Sequence, residues 1–387
     1  MNLNQYYTQQ RYSDLLVGRL LSESPQIAVD LGFGDGELLF AARRRWHEIN
    51  LVGVDIDPKN VLKANQAKII SAIEFDGFNP SLPEIIQERF GNINLLISNP
   101  PYFPKDNDKS TREIIKKAGM SQCIPATCKK IPAELIFLAQ NIAMLSKSGE
   151  IGIILPAGVI SGERWKGVRE FLFSELKVNN LIQLPSDSFI NTDAQTFILT
   201  LSKEKSRRDF ITLSHATHSS TLNVKINDAI NRADFLYYSS FLNNVCEQNL
   251  NEESFSILRG SLSHTFLRKH VAEYLHTTDL PSKPSSLNLT NSPISNANNA
   301  IKGDILLARV GRRCLGKVAI VESGSIPVSD CVIIVRAKSD EERNQIWRIL
   351  SAPKSRMTLY NRSLGVGAKY ITHSIVKEYL IDVRSAT

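Results

Sequence analysis

The stretch IAVDLGFGDG at residues 27–36 decides the fold of this chain. The apolar run at 27–31 predicts a short buried strand that ends at an acid and a leucine. The glycines at 32, 34 and 36 predict a tight turn, because glycine lacks a Cβ and lets the backbone approach a ligand closely. The segment ELLFAARRRW that follows predicts a helix over 37–46. A strand, a glycine-rich turn and a helix in this order begin a βαβ unit.

The same alternation continues on the C-terminal side of this stretch. Further strands are predicted over 51–55, 94–98, 149–155, 180–184 and 196–201, and further helices from Pro58, over 133–145 and over 164–176. Strands that alternate with helices indicate an α/β fold with a mainly parallel sheet covered by helices on both faces. Ligands bind at the carboxyl ends of the strands of such sheets.

Three segments differ from this pattern. Residues 103–131 are polar and basic and predict a long loop of the kind that is often functional. The periodicity weakens near 203–208, so we expect the first domain to span 1–205 and an α+β second domain to span 206–387. Residues 281–300 are rich in Ser, Asn and Pro and predict a linker or surface loop, followed by strands over 304–310, 317–321 and 331–336.

The charge of the chain is distributed unevenly. Its 387 residues suit two domains, and its formal net charge is +7, from 46 Lys and Arg against 39 Asp and Glu. Residues 1–204 hold 22 basic and 23 acidic side chains, whereas residues 205–387 hold 24 and 16. The basic excess therefore lies in the second half, which predicts that this half contacts a polyanion.

Other features of the composition exclude several classes of protein. The five cysteines include no C-x-x-C pair, and Cys123 and Cys128 lack the second Cys/His pair that a zinc site needs. We therefore expect reduced thiols, no metal and a cytoplasmic location. The chain has no apolar run of 18 residues and its first residues are polar, so we expect no membrane span and no signal peptide.

The turn at 30–36 is typical of a nucleoside cofactor site. Asp55 ends the next strand and is placed to accept from ribose hydroxyls. A dinucleotide site remains an alternative, but the glycine spacing is G-x-G-x-G rather than G-x-G-x-x-G. An ordinary tight βα turn is the third interpretation.

The tetrapeptide Asn99-Pro100-Pro101-Tyr102 directly follows a predicted strand. The prolines remove two N–H donors and hold the backbone extended. What remains are acceptors, the Asn99 side-chain oxygen and the Pro100 carbonyl, together with the aromatic plane of Tyr102. This set suits a planar base that carries an NH2 group, because two acceptors hold its hydrogens while its ring stacks on Tyr102. Held in this way, the nitrogen lone pair is free to attack a methyl sulfonium.

These motifs resemble the class I S-adenosylmethionine-dependent methyltransferases with a Rossmann-like fold, specifically the amino-DNA methyltransferases that modify adenine N6. The resemblance spans residues 6–203, although the family's commoner cofactor loop, D-P-x-C-G-x-G, is D-L-G-F-G-D-G here. It implies catalytic roles for Asn99, Pro100, Pro101 and Tyr102, and base stacking by Tyr102 and Phe189. It also implies that S-adenosylmethionine is bound by Tyr7, Thr8, Asp30, Gly32, Gly34, Gly36, Asp55, Ile56, Asp76, Gly77 and Asn99.

Residues 301–382 resemble the target recognition domains of type I restriction specificity subunits and of single-chain adenine methyltransferases. The resemblance implies DNA binding, and the candidates around two glycine-rich turns are Arg309, Arg312, Arg313, Lys317 and Lys369. Arginine suits this task because its fork matches guanine edges and phosphates. A solvated basic hairpin is the alternative.

Together these features predict a site-specific adenine-N6 methyltransferase that flips its target out of double-stranded DNA. The resemblance also implies a restriction-modification context, in which a cognate restriction or specificity subunit is a possible partner. Cytosine N4, an RNA base or a protein glutamine amide remain alternative acceptors, since each presents a similar amine. A non-catalytic DNA-binding subunit is the alternative from another functional class.

Overall fold

The computed structural model of the chain describes residues 8–189, 195–205, 208–242 and 250–381. The chain forms two compact units, Met1–Leu236 and Tyr237–Thr387, which are described one after the other.

The first unit is built on a nine-stranded sheet. Its strands, including two that form a separate small sheet, are β1 (Ile27–Leu31), β2 (Asn50–Asp55), β3 (Ser71–Glu74), β4 (Ile93–Ser98), β5 (Pro104–Asp106), β6 (Lys130–Pro132), β7 (Leu145–Pro156), β8 (Lys177–Gln183), β9 (Thr196–Ser202), β10 (Phe210–His215) and β11 (Thr221–Lys225). Its helices are α1 (Gln10–Gly18), α2 (Glu37–Arg45), α3 (Pro58–Ala67), α4 (Leu82–Phe90), α5 (Lys109–Lys117), α6 (Ala133–Met144), α7 (Ala157–Ser161), α8 (Lys166–Glu175), α9 (Ile226–Asn231) and α10 (Phe235–Leu242), the last of which crosses the boundary between the units.

The strand order is β11-β10-β8-β9-β7-β4-β1-β2-β3. Neighbouring strands from β3 to β7 pair in parallel, while β9 runs antiparallel to both β7 and β8. All five residues of β1 are buried, as expected for a central strand covered on both faces. This confirms the expected α/β fold with a large, mainly parallel sheet.

The basic segment 103–131 is not the long loop that its composition predicts. Strands β5 and β6 pair antiparallel, and α5 lies between them. Asp108 caps α5 by accepting from the backbone N–H of Thr111 at 2.8 Å. Ile114 and Ile115 are buried, so the polar composition hides one apolar face of an amphipathic helix.

The first unit also extends beyond the expected boundary at residue 205. Strand β10 pairs in parallel with β8, and β11 pairs antiparallel with β10, so residues 210–225 complete the edge of the first sheet. The unit therefore ends at Leu236. Sequence alone placed the boundary too early because these two strands are short and carry polar residues on their exposed face.

The second unit combines a smaller sheet with helices. Its elements are β12 (Phe255–Arg259), α11 (His264–His270), β13 (Ser285–Asn291), β14 (Asn299–Ile301), β15 (Ile305–Ala308), β16 (Val318–Pro327), β17 (Val332–Ala337), α12 (Asp340–Ser351), α13 (Ser355–Arg362) and α14 (His373–Ile381). The strand order is β12-β17-β15-β16-β13, and β14 also pairs with β16.

The segment 281–300 is a further correction. Nine of its 20 residues are strand, since β13 pairs in parallel with β16 and β14 pairs antiparallel with the same strand. β13 is a largely exposed edge strand, which explains why it carries serines, asparagines and a threonine in place of an apolar run.

Candidate functional site

The predicted site lies where β4, β1 and β2 end side by side. These strands are neighbours in the sheet and run parallel, so their carboxyl ends share one edge. Asp30 lies in β1, Asp55 ends β2, and Asn99 directly follows β4. The fold thus brings three predicted side chains, far apart in sequence, to the edge where such sheets bind ligands.

The turn between β1 and α2 depends on its glycines. Gly32, Gly34 and Gly36 have φ angles of 73°, 57° and 85°, a region that residues with a Cβ rarely adopt. The N–H of Gly32 donates to the carbonyl of Val54 at 2.7 Å, and Gly36 is the residue directly before α2. The turn therefore places exposed backbone and the N-terminus of a helix beside the pocket.

Asp55 is held in a fixed orientation. Its Oδ2 accepts from the N–H of Gly34 at 2.8 Å and its Oδ1 from the N–H of Asp57 at 2.8 Å, and Asn60 Nδ2 lies 3.4 Å from Oδ2. The carboxylate is 6% exposed. Ile56, the next residue, is 51% exposed and offers an apolar surface at the same strand end.

Asp30 is the electrostatically unusual residue of the site. It is 2% exposed, and its Oδ1 has no hydrogen-bond partner within the described part of the chain. Burial, and then the charges of Asp55 and Asp35, hold the pKa of this carboxyl well above its usual value. A buried acid without a partner is costly unless a ligand cation completes it.

A pocket lies against these residues. It is lined by Thr8, Asp30, Gly32, Phe33, Asp35, Glu37, Leu38 and Asn99. It thus unites one residue from before α1, the glycine turn, the start of α2 and the tetrapeptide. Tyr7, the neighbour of Thr8 in the predicted set, lies outside the described residues.

The segment Asp76–Phe78 follows β3 at the adjacent strand end. Asp76 is exposed, and its Oδ1 accepts from the N–H of Phe78 at 2.9 Å. The side chain of Phe137 separates this segment from the glycine turn, since a Cβ on Gly77 would lie 2.7 Å from its ring and one on Gly32 would lie 3.3 Å from it.

Aromatic rings that sequence reasoning missed surround this segment. The ring of Phe78 meets Phe137 edge-on at 5.3 Å and Phe103 at 5.8 Å between centroids, and the Lys105 ammonium lies 5.0 Å from the Phe78 centroid. Phe103 directly follows the tetrapeptide, which is the signal that could have identified it.

The tetrapeptide is tied together by its own side chains. Asn99 donates from Nδ2 to Thr8 Oγ1 at 3.0 Å, and the Tyr102 hydroxyl donates to Asn99 Oδ1 at 3.0 Å, with the Ile154 carbonyl 3.3 Å away. The acceptor oxygen of Asn99 is therefore occupied by Tyr102 in this structure.

Glu134 is another buried acid of the first unit. It lies in the first turn of α6 and is 7% exposed, and its Oε2 has no partner among the described residues. Burial raises the pKa of Glu134 to about 7. The pKa of the Tyr102 phenol is raised well above its usual value, by burial first and then by the charge of Glu134.

Phe189 lies elsewhere than its expected role requires. It is 4% exposed within the hydrophobic core, and its ring stacks on Tyr12 with centroids 6.2 Å apart. A ring packed in this way has no face available to a base in this structure. The apolar context of the residue was equally consistent with a core position.

The basic candidates of the second unit lie on two adjoining loops. Gly311 donates to the carbonyl of Lys369 at 2.9 Å, and Arg312 donates to the carbonyls of Gly367 and Val366. These five basic side chains differ in solvent exposure. Arg312 and Arg313 are exposed, whereas Arg309, Lys317 and Lys369 are half-buried. Lys317 donates to the carbonyl of Leu280 at 3.1 Å, and Lys369 lies 6.0 Å from the centroid of the Tyr360 ring.

The described ranges hold neither a metal-ligand group nor a membrane-crossing helix. No group of three or more His, Cys, Asp or Glu side chains there is arranged to hold a metal ion. No helix in those ranges is long and apolar enough to cross a membrane.

Comparison with known proteins gives a consistent result. The model of the family described as N-6 DNA methylase matches residues 2–257. The type I restriction enzyme MpnII methylase subunit of Mycoplasma pneumoniae is 22% identical over 229 residues, which cover 53% of this chain and 41% of that protein. The type II methyltransferase M.CvrRI of Paramecium bursaria Chlorella virus XZ-6E is 19% identical over 198 residues, which cover 51% of this chain and 48% of that protein.

Among solved structures, the type IIG restriction endonuclease BpuSI superposes with a TM-score of 0.56 at 13% identity, over 96% of this chain and 58% of that chain. This likeness shows a shared fold. The chain spans less than half the length of the two curated relatives and less than two thirds of the endonuclease.

Proposed function

Because the chain belongs to the N-6 DNA methylase family, we propose that it transfers a methyl group from S-adenosylmethionine to N6 of adenine in double-stranded DNA. The observation that carries the proposal is the position of Asn99, which lines the same pocket as Asp30 and the glycine turn. A side chain that can accept from an amine therefore faces the space where the cofactor's reactive end would lie. The relatives' names support a restriction-modification context.

The residues of the pocket fit S-adenosylmethionine. The unpartnered, buried oxygen of Asp30 suits the ammonium of an amino acid, and the oriented carboxylate of Asp55 suits ribose hydroxyls. Thr8 and the turn of Gly32, Gly34 and Gly36 would bind the methionine part, while Ile56, Asp76 and Gly77 would surround the adenine. When bound, the cofactor supplies an electrophilic methyl group.

The chain's own part in the reaction is to bind and orient the target amine. Asn99 Oδ1 and the Pro100 carbonyl would accept its two N–H bonds, and Pro101 keeps the segment extended. The Tyr102 hydroxyl must first leave Asn99 Oδ1, which also frees its ring to stack on the base. A target base inside a duplex is out of reach, so the adenine would be flipped out.

The second unit would select the target sequence. It carries the exposed Arg312 and Arg313 together with Arg309, Lys317 and Lys369, and its residues 301–382 resemble target recognition domains. Such a division assigns DNA reading to residues 237–387 and methyl transfer to the first unit. Whether a restriction or specificity subunit joins the chain is tested by purification of the protein from its own cells.

The matched pair of Asn99→Ala and Asp30→Asn tests the two halves of the proposal. For Asn99→Ala we expect methyl transfer to DNA to fall by at least about 100-fold, since the amine loses an acceptor, while calorimetric affinity for S-adenosylmethionine changes by no more than a few-fold. For Asp30→Asn we expect cofactor affinity itself to fall. Loss of cofactor binding by Asn99→Ala would contradict the assigned role of Asn99.

The same assay separates the alternatives. Digestion of the methylated DNA to nucleosides, followed by mass spectrometry, distinguishes N6-methyladenine from N4-methylcytosine. Cofactor binding without methyl transfer to DNA, RNA or protein would favour a non-catalytic DNA-binding subunit.

A further inference from the structure

Two arginines meet at one end of the second unit's sheet. Arg259 ends β12 and Arg309 directly follows β15, and β17 lies between these two strands. Asp330 lies two residues before the start of β17. Three charged side chains from three chain segments thus converge at one sheet end, where sequence reasoning had identified only Arg309.

Asp330 fixes both guanidinium groups. Its backbone oxygen accepts from Arg259 Nε at 2.8 Å and from Arg309 Nε at 3.0 Å. Its Oδ2 also accepts from Arg259 Nη2 at 3.0 Å. Arg259 therefore uses two of its nitrogens on Asp330, whereas Arg309 is held by Nε alone.

The outer nitrogens of Arg309, Nη1 and Nη2, make no hydrogen bond within residues 250–381, and the side chain is half-buried. Burial, followed by the charge of Arg259, lowers the pKa of Arg309. The same two arginines lower the pKa of His373, after burial, so the local field is positive despite Asp330.

This arrangement adjoins the basic loops described above. The N–H of Ile371 donates to the carbonyl of Arg309 at 3.0 Å, and Arg309 leads directly into the turn that carries Arg312 and Arg313. Arg309 and the two exposed arginines of the basic turn thus lie within five consecutive residues of the second unit.

We propose that Arg309 is a specificity-determining residue that reads a guanine in the target sequence, with Asp330 and Arg259 as its supports. The inference rests on the proposed function and concerns which side chain selects the DNA site. Guanine offers O6 and N7 as paired acceptors in the major groove, and two parallel Nη donors match them. Because Nε is held by Asp330, the fork is oriented before DNA binds, which reduces the entropy lost on binding.

The paired acceptors of a guanine edge match the fixed fork of Arg309. A phosphodiester contact by the same side chain is distinguished by its salt dependence and by its indifference to sequence. Arg312 and Arg313 are exposed on the adjoining turn, where they suit contacts with phosphates.

The test compares the full-length wild type with Arg309→Ala, Arg309→Lys and the control Arg343→Ala. Arg343 lies in the same unit and pairs only with Asp340 in the described ranges. Its replacement by alanine removes one positive charge, as the replacement of Arg309 does. Each protein is incubated with S-adenosylmethionine and a library of randomised duplexes, and the methylated sequences are read. Thermal unfolding and cofactor titration confirm that each variant is folded.

We expect the wild type to require a G·C pair at one or more positions of its site. Arg309→Ala should lower discrimination at one such position by about 5- to 150-fold, and Arg309→Lys should lower it as well, because the charge remains while the fork is lost. Arg343→Ala should keep the wild-type preference.

Two results would overturn the inference while leaving the proposed function intact. One is an unchanged sequence preference in folded Arg309→Ala. The other is DNA binding that is weakened equally on every sequence, with the slope of log affinity against log salt concentration reduced by about one. That result would show that Arg309 contacts a phosphate of the DNA backbone. If the folded wild type methylates no duplex, the proposed function fails and this inference fails with it.

Discussion

At the scale of single residues, hydrogen bonds hold Asn99 and Tyr102 of the tetrapeptide in place. Asn99 donates to Thr8 and accepts from Tyr102, so both ends of its amide are occupied. Glu134, whose charge acts on the Tyr102 phenol, is buried, and one of its oxygens has no hydrogen-bond partner among the described residues. Neither feature follows from the letters N-P-P-Y, because hydrogen-bond state and burial depend on the packing of α6 and β7 around the segment.

Tyr102→Phe tests the role of the Tyr102 hydroxyl separately from the role of its ring. The variant keeps the stacking surface but loses the bond to Asn99, so we expect the free energy of unfolding to fall by about 1 kcal/mol. We expect the rate of methyl transfer to stay at the wild-type level or rise, because the competing donor has gone. Tyr102→Ala should lower the rate by at least about 10-fold, since stacking contributes roughly 1–3 kcal/mol per base. Equal losses in both variants, measured as initial rates, would show that the hydroxyl itself is required.

Glu134→Gln should stabilise the protein at high pH. The pKa of Glu134 is raised from 4.5 to about 7, so the folded state binds its proton more tightly than the unfolded state does. Stability therefore falls as the pH rises from about 4.5 to about 7, and above this window the ionised carboxylate costs about 2–3 kcal/mol. The neutral amide avoids this cost, so the variant should be more stable than wild type at pH 8 and equally stable at pH 4.5.

Glu84→Gln is the control for this measurement. Glu84 is exposed, and its hydrogen bond with Lys117 lowers its pKa, so its replacement should give no gain in stability at pH 8. Urea unfolding of both variants at the two pH values provides the comparison. A Glu134→Gln protein no more stable than wild type at pH 8 would contradict the burial of an ionisable group there.

At the scale of elements, the strands and helices predicted from the sequence agree best with the structure where their residues are buried. Strand β1 spans the residues that its apolar run predicts, because a strand covered on both faces is almost entirely apolar, with Asp30 as its single polar residue. The exposed edge strand β13 and the amphipathic α5 were instead expected to be loops. Their polar faces dominate their composition, and only pairing with β16 or packing of Ile114 and Ile115 reveals them.

The turn between β1 and α2 gives a prediction at this scale. A Cβ on Gly36 would lie 3.0 Å from Ile70 Cδ1 and 3.2 Å from Phe40, at a φ of 85°. We expect Gly36→Ala to lower the free energy of unfolding by about 1–2 kcal/mol and to weaken cofactor binding, because the start of α2 must shift. Gly18→Ala is the matched control, since Gly18 has no atom within 4 Å of the added Cβ. Equal stability and cofactor affinity of the two variants would contradict the role given to the turn.

At the scale of the whole molecule, the charge asymmetry agrees with the proposed division of function. The near-neutral first half of the sequence contains the pocket, and the basic excess lies in the half that carries the arginine loops. The sequence predicted the family, the pocket-lining Asp30, Gly32 and Asn99, and the sheet. It did not predict the boundary at Leu236 or the supported fork of Arg309, since both depend on strand pairings between distant segments.

The most direct test of the proposed adenine-N6 methyl transfer is methylome sequencing of cells that produce the wild-type chain, the Asn99→Ala variant or neither. We predict N6-methyladenine at one defined sequence motif with the wild type, and no modification at that motif in the other two cultures. Methylation that persists with Asn99→Ala, or a genome in which the folded, cofactor-binding wild type adds no N6-methyladenine, would contradict the proposal.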